Sequence, residues 1–518
     1  MKRNNLTTAV VAGIAGVAGI ASVSNAVNLN SDGVGQVLVY PYYTVNNGIN
    51  TLISVVNTTD QVKAVKVRFL EGKNSRECLD FNLYLSPYDV WTAGLVATTS
   101  SEGRVGSFYA GQESVKLVTN DTSCTAPSIN GYEFLPWGFD PQGNGDDADG
   151  YDNGGRNLLR CTEGHFEMIE MGVVEDTANN QNAAWSATHG QQGAANEGVP
   201  NNCGNILENW TPGAGYWAAV DASDGILDPD GTGGLFGSAS LINVDNGTDV
   251  AYNADAIQFY STVQQHSDTG NLTPNLATGS SVQSYVFDQG GVQSDVWLSS
   301  AVQAVSALYM HDNLYGEYVL SDGIGANTEW VVTFPTKNFY VDTYTSPFGI
   351  TIPGDAYEPF TDIFDDNGLS CEAYGITGLY DREEVEPIGD PANIIPSPPP
   401  PNIIITTPVF CYEANVLEFH DGEVGEGQSA ILGSYNTTHV STLKNSAPEY
   451  FDTGWMSLSF TNDPLHATSD NVAGSVYNGL PVTGFAVQRY VNQQDPSGAK
   501  NYAGLFRHRY TKNITSGP

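Results

Sequence analysis

Short runs of alternating apolar and polar residues are the feature that most constrains the fold of this chain. In "KAVKVRFLEG", Val65, Val67 and Phe69 fall on one side of an extended chain, and Lys66 and Arg68 fall on the other. The run "DFNLYLSPYDVW" repeats the pattern. Period-two runs of about five to eight residues between turn signals are typical of antiparallel strands. The sequence therefore predicts a mainly β protein, with one or more antiparallel, immunoglobulin-like β-sandwiches.

Composition favours the same class and adds long loops. The chain has 56 Gly and 27 Tyr, and only 15% of its residues are charged. Such chains are usually β proteins with long loops, here rich in Gly, Asn and Asp, and few short helices. The best helix candidate is the stretch 299–308, where Ala301, Ala304, Val305 and Leu308 share one face at helical spacing.

The distribution of these runs divides the chain into six segments. They are a signal peptide (1–26), sandwich strands (27–121), an acidic Gly/Asn-rich loop region with few strands (122–234), strands with one short helix (235–345), a loop and proline-rich connector (346–410), and C-terminal strands completing the sandwich (411–518).

The N-terminal segment is interpreted as a secretory signal. Lys2 and Arg3 precede a mildly apolar stretch, 9–23, and small residues end at Ala26. Basic, apolar and small-residue zones in this order are read by a signal peptidase. The alternative, a membrane anchor, needs about 20 apolar residues, and this stretch is shorter and interrupted by glycines. The sequence predicts cleavage after Ala26 and a secreted, extracellular protein of the cell surface without a membrane span.

An even number of cysteines in an exported chain predicts disulfides. The six are Cys78, Cys124, Cys161, Cys203, Cys371 and Cys411, and their spacing matches no zinc or haem pattern. Cys371 and Cys411 flank the proline cluster "PSPPPP", so a bridge between them would close that loop. The pairing of the other four stays open.

The formal net charge of −39 excludes one class of partner. Such a surface repels DNA, RNA and anionic lipid, so no nucleic-acid partner is expected. Two interpretations of the acidity remain, solubility in saline water and binding of divalent cations.

Acidic loops are the candidate cation sites. Calcium takes six to eight oxygen ligands, and glycines let a loop fold around it. The candidate ligands lie in "GDDADGYD" and "DPDG" and are Asp146, Asp147, Asp149, Asp152, Asp228 and Asp230. None of these loops fits the EF-hand pattern, and the alternative is a hydrated loop. Glu163, His165 and Glu167 alternate along one face of a predicted strand. They are interpreted either as metal ligands or as the solvated face of that strand.

No catalytic motif is present in the sequence. There is no Gly-x-Ser-x-Gly elbow, no His-Glu-x-x-His and no phosphate-binding glycine loop. The chain is therefore not expected to be an enzyme, although glycosidases need only two placed carboxylates.

Several segments carry a resemblance, among them "QVLVYPYYTV", "TLISVVNTTD", "GGLFGSASLINV", "WVVTFPTKNFYV" and "GFAVQRY". Together they resemble a family of secreted bacterial proteins described only as uncharacterised or "cell surface" proteins. The likeness runs from about residue 35 to about residue 509. It implies a surface location, and it carries no catalytic residue to this chain.

Two segments could join copies of the chain. The β-prone stretch 27–43 could add a strand to a neighbour's sheet, or it could pair within its own domain. The basic C-terminal residues Arg507, Arg509 and Lys512 could meet an acidic face of another copy, or they could protect an ordinary edge strand.

These observations favour a secreted structural protein, a subunit of a surface layer or extracellular filament whose partners are copies of itself. The alternatives are a carbohydrate-binding or adhesion protein that contacts surface polysaccharide through exposed aromatic residues, and an extracellular hydrolase of unrecognised type.

Overall fold

The computed structural model describes residues 26–141, 152–348, 356–364, 368–384, 396–397, 408–420, 427–442, 452–460, 463–468, 473–491 and 501–515. The chain is mainly β with short helices, and its four larger sheets pack face to face. The predicted β-sandwich class is confirmed.

The N-terminal half supplies the strands of the first sandwich. They are β1 (Asn28–Leu29), β2 (Val37–Thr44), β3 (Ile49–Asn57), β4 (Val62–Glu71), β5 (Glu77–Leu85), β6 (Val90–Thr99), β7 (Glu113–Val118), β8 (Cys124–Ala126), β9 (Tyr132–Glu133), β10 (Glu163–Val174), β11 (Ile226–Leu227), β12 (Leu235–Asn243), β13 (Thr248–Asn253) and β14 (Asp255–Gln258).

These strands form two antiparallel sheets. One has the order β1-β14-β2-β10-β4-β5-β8, with β11 beside β10, and the other has the order β13-β12-β3-β6-β7-β9. Their inner faces share one core, in which Tyr40 and Phe166 stack and Trp91 and Leu117 are fully buried. Burial of these large side chains is the main stabilising contribution to this half.

The remaining strands follow in the C-terminal half. They are β15 (Gln283–Asp288), β16 (Gly291–Val296), β17 (Met310–His311), β18 (Asn313–Val319), β19 (Ala326–Thr333), β20 (Glu372–Asp381), β21 (Pro396–Ser397), β22 (Val409–Phe410), β23 (Ala414–His420), β24 (Thr437–Ser441), β25 (Thr453–Phe460), β26 (Leu465–Thr468), β27 (Ala473–Asn478), β28 (Leu480–Pro481), β29 (Thr483–Tyr490), β30 (Tyr502–Arg507), β31 (Arg509–Thr511) and β32 (Asn513–Thr515).

A second sandwich is built from two of their sheets. Their orders are β22-β20-β25-β18-β31 and β21-β24-β23-β19-β29-β30, and the β23–β24 pair is parallel. Tyr318, Trp330, Phe419 and Met456 meet in the core between them. The strands β15 and β16 form a separate hairpin, β17 pairs with β28, and β26, β27 and β32 form a small third sheet.

The helices are α1 (Glu102–Val105), α2 (Ala183–Ala187), α3 (Cys203–Asn209), α4 (Tyr216–Ala219), α5 (Ala301–Tyr309) and α6 (Asn338–Val341). The predicted helix is confirmed as α5, which begins after Ser300, whose hydroxyl accepts the Val302 N–H. All nine residues of α5 are buried, and they share a core with Val37 and Ile169 of the first sandwich.

Three disulfides use all six cysteines. Cys78 is joined to Cys161 within the first sandwich, and Cys124 on β8 is joined to Cys203 at the start of α3. Cys371 is joined to Cys411, which is the pairing that the proline cluster suggested.

Candidate functional site

Three of the six predicted calcium ligands, Asp152, Asp228 and Asp230, lie in the part of the chain that the structure describes. Asp146, Asp147 and Asp149 lie outside that part. The carboxylate of Asp152 accepts hydrogen bonds at 2.8 Å from both terminal nitrogens of Arg160. Burial alone would raise the pKa of the Asp152 carboxyl, but the guanidinium holds that pKa below its ordinary value. Arg160 therefore neutralises the charge that a cation was expected to neutralise.

Asp228 and Asp230 have local structural roles. Asp228 accepts the backbone N–H of Gln264 at 2.9 Å. Asp230 accepts the backbone N–H and the hydroxyl of Thr232 at 2.9 and 2.8 Å, which is a turn motif. Within the described ranges, no group of three or more His, Cys, Asp or Glu residues is placed to hold a metal ion. Calcium binding stays a prediction for the three aspartates beyond those ranges.

The alternating row on β10 is buried, so the solvated-face interpretation is wrong. Tyr42 donates its hydroxyl to Glu163 at 2.8 Å, and Arg68 donates to Glu167. Both ring nitrogens of His165 are buried and have no hydrogen-bond partner among the residues that the structure describes. Burial and the charge of Arg68 lower the pKa of His165 to about 3, so the imidazole is neutral.

This row belongs to a buried layer of charges on the outer face of the first sheet. The ion pairs of this charged layer are Lys66–Asp80, Arg68–Glu77 and Arg68–Glu167, whereas the buried Lys63–Glu170 pair lies on the other face of the sheet, which Val65 and Met168 share. The segment after β14 covers part of the charged layer, because Lys66 donates to the Asp268 carbonyl at 3.2 Å and Asn82 to the Ser267 carbonyl at 2.8 Å. Sequence reasoning missed this layer, since alternation identifies two faces of a strand and not whether the polar face is covered.

Two of the three basic residues that were predicted to contact another copy of the chain have partners within their own chain. Arg507 forms an ion pair with Asp255. Lys512 donates to the carbonyls of Leu308 and Met310 at 2.8 and 2.9 Å, and burial lowers its pKa to about 7. Arg509 has an exposed side chain.

The N-terminal segment pairs within its own chain. Val27 is buried and exchanges backbone hydrogen bonds with Gln283 and Tyr285, both at 2.8 Å. Strand β1 pairs with β14, and β2 lies between β14 and β10. The segment 27–43 was a candidate to add a strand to a neighbour's sheet. It pairs instead within the first sandwich of its own chain, as the alternative interpretation expected.

One sheet edge among the described strands lies on the β15–β16 hairpin. Among the described strands β16 has one ladder partner, β15. One hairpin face is packed inward, where Asp295 accepts the Tyr477 hydroxyl at 2.6 Å and Gln293 donates to the Ser475 hydroxyl at 2.6 Å. This docking fixes the hairpin and turns its other face and the free edge of β16 outward.

The outward face of this hairpin exposes several apolar side chains, with the exposed Ser294 between them. Phe287 is 58% exposed and Val292, directly opposite it, is 42% exposed, and Val296 and Leu298 continue the patch along the strand. The strand β16, "GVQSDV", contains no Lys, Arg or Pro, and its one acid, Asp295, faces inward. Native edge strands usually carry such residues, because they prevent pairing with other chains. The hairpin edge is therefore a candidate contact surface.

Comparison with protein-family models, curated proteins and solved structures found no match for this chain. Across the residues that the structure describes, no helix combines the length and the apolar character needed to cross a membrane.

Proposed function

We propose that this chain is a secreted structural protein of the bacterial cell surface, a subunit that associates with copies of itself through the β15–β16 hairpin. The observation that carries the proposal is the edge strand β16, which exposes apolar side chains on its outward face and contains no Lys, Arg or Pro. Backbone hydrogen bonds along such an edge supply affinity, and alternate side chains supply register. The signal-like N-terminus, the surface-protein resemblance and three disulfides support an extracellular location.

The geometry of the contact limits what it can build. Two β16 edges that pair antiparallel make a two-fold contact, which closes as a dimer. Growth into a layer or filament needs a second interface. The acidic surface implied by the net charge and the exposed Arg509 supply complementary charges for it, and such a contact weakens with salt.

Lysines placed on the hairpin edge should prevent self-association. In the double variant Val292→Lys/Val296→Lys, two charges would lose water at the contact, and the concentration for half-association should rise roughly tenfold or more. Sedimentation velocity of the protein beginning at Val27, over a wide concentration range, measures this, and negative-stain microscopy shows what forms.

A matched control places the same charges elsewhere. Val220 and Val263 are exposed valines outside the hairpin, so Val220→Lys/Val263→Lys should associate like the unaltered protein. An unaltered protein that stays monomeric at every concentration contradicts the proposal, and so does equal association of the two double variants.

A further inference from the structure

A groove of about 360 Å³ opens beside the first residues of β5, at the border of the charged layer. Four separate parts of the chain line it: β5 with Glu77 and Asp80, the loop with Trp137, the turn at residues 269–272, and Tyr344 after α6. Its volume lies at the lower end of the range of small-molecule and saccharide-sized sites.

A β-bulge aims the two carboxylates into this groove. Leu79 lies opposite Phe69 and Glu77 opposite Leu70, so Cys78 is the extra residue of β5. The bulge puts Glu77 on the same side of the strand as Asp80, although the two are three residues apart. Bulges of this kind often re-aim side chains beside functional sites.

Both carboxylates are held by cations beneath them. Arg68 donates its Nε–H to Glu77 at 2.7 Å, and Lys66 contacts Asp80. Burial and the neighbouring Glu77 charge raise the pKa of Asp80 to about 7. The acids keep 10% and 16% of their side chains exposed. They therefore offer hydrogen-bond acceptors to a ligand while each is already paired with a cation, and Arg68 is shared with Glu167.

Two exposed aromatic rings complete the walls, and Arg76 positions both. Its guanidinium lies 4.6 Å from the Tyr344 ring centroid and forms an ion pair with Asp342 at 2.8 Å. The same group donates to the Gly138 carbonyl at 3.4 Å, in the residue after Trp137. Gly138 packs so closely on β5 that a Cβ there would lie 2.3 Å from the Glu77 carbonyl oxygen.

We infer that this groove binds a neutral saccharide chain. Indole and phenol rings stack on the C–H faces of sugar rings, and carboxylates accept hydrogen bonds from sugar hydroxyls. A basic peptide fits less well, because Glu77 and Asp80 are already paired with Arg68 and Lys66. An acidic polysaccharide would be repelled by the net charge of −39. The inference does not depend on self-association, since the groove and the hairpin are formed by different residues.

The test uses the full protein beginning at Val27. Probes are a printed array of neutral and acidic oligosaccharides and an oligolysine peptide, and affinities for the strongest neutral glycan come from isothermal titration. Trp137→Ala and Tyr344→Ala should each weaken that affinity roughly tenfold or more, because exposed aromatic anchors carry much of the binding energy. Tyr344 is 62% and Trp137 43% exposed, so both changes should lower the melting temperature by only a few degrees.

Trp185→Ala is the matched control, because Trp185 is exposed on α2 and does not line the groove. Its affinity should equal that of the unaltered protein. The inference is overturned if no neutral glycan binds, if Trp137→Ala and Tyr344→Ala bind like the control, or if only the acidic glycans or oligolysine depend on Trp137.

Discussion

Replacing Lys63 with Met should reduce the free energy of unfolding by about 3–5 kcal/mol near pH 8. The Lys63 ammonium lies 2.5 Å from the Glu170 carboxylate, and neither side chain is exposed. Removal of one partner leaves a buried charge without compensation, which costs more than the pair contributed. Urea unfolding followed by tryptophan fluorescence measures the loss.

The loss should depend on pH in a defined direction. Burial raises the pKa of Glu170 to about 7 even with Lys63 in place. A carboxyl whose pKa is raised by folding binds more protons in the folded state, so its contribution to stability falls as pH rises from about 4.5 upward. Without Lys63 the pKa rises further, and the penalty should be smaller near pH 5 than near pH 8.

The double variant Lys63→Met/Glu170→Leu is the control. With both charges replaced by apolar groups, no orphaned carboxylate remains, and most of the lost stability should return. If the double variant is as unstable as the single one, or if Lys63→Met unfolds like the unaltered protein near pH 8, the buried pair does not have the role described.

Removal of the Cys78–Cys161 bridge should have an effect of similar size. The bridge spans 83 residues and joins β5 to the turn that precedes β10, at the centre of the first sandwich. Release of a loop this long increases the entropy of the unfolded chain, and Cys78→Ala/Cys161→Ala should lose about 4 kcal/mol. Thermal unfolding under non-reducing conditions, with peptide mapping of the remaining bridges, measures it.

The Cys371–Cys411 bridge provides the comparison, because it spans 40 residues in the second sandwich. Loop entropy grows only slowly with length, so Cys371→Ala/Cys411→Ala should lose slightly less. A variant without the Cys78–Cys161 bridge that melts at the unaltered temperature would contradict the stabilising role.

Local pattern was enough to predict the features that depend on neighbours in sequence. The alternation around Val65 marked β4, and the helical spacing after residue 299 marked α5. The pairing of Cys371 with Cys411 followed from the proline cluster between them. Each of these features depends on one segment of the chain, because the period of the backbone alone decides which side chains share a face.

Only the tertiary structure decided which polar faces are covered. Lys66 and Arg68 alternate with apolar residues as on any half-exposed strand, yet the chain after β14 folds over them. Asp152 was predicted to bind a cation, and folding placed Arg160 against it. The segment 27–43 was a candidate donor strand, and β14, more than 200 residues away in sequence, pairs with it. A strand's period fixes its two faces, but what covers each face, and so whether a charge is solvated, paired or available to a ligand, depends on distant segments meeting in space.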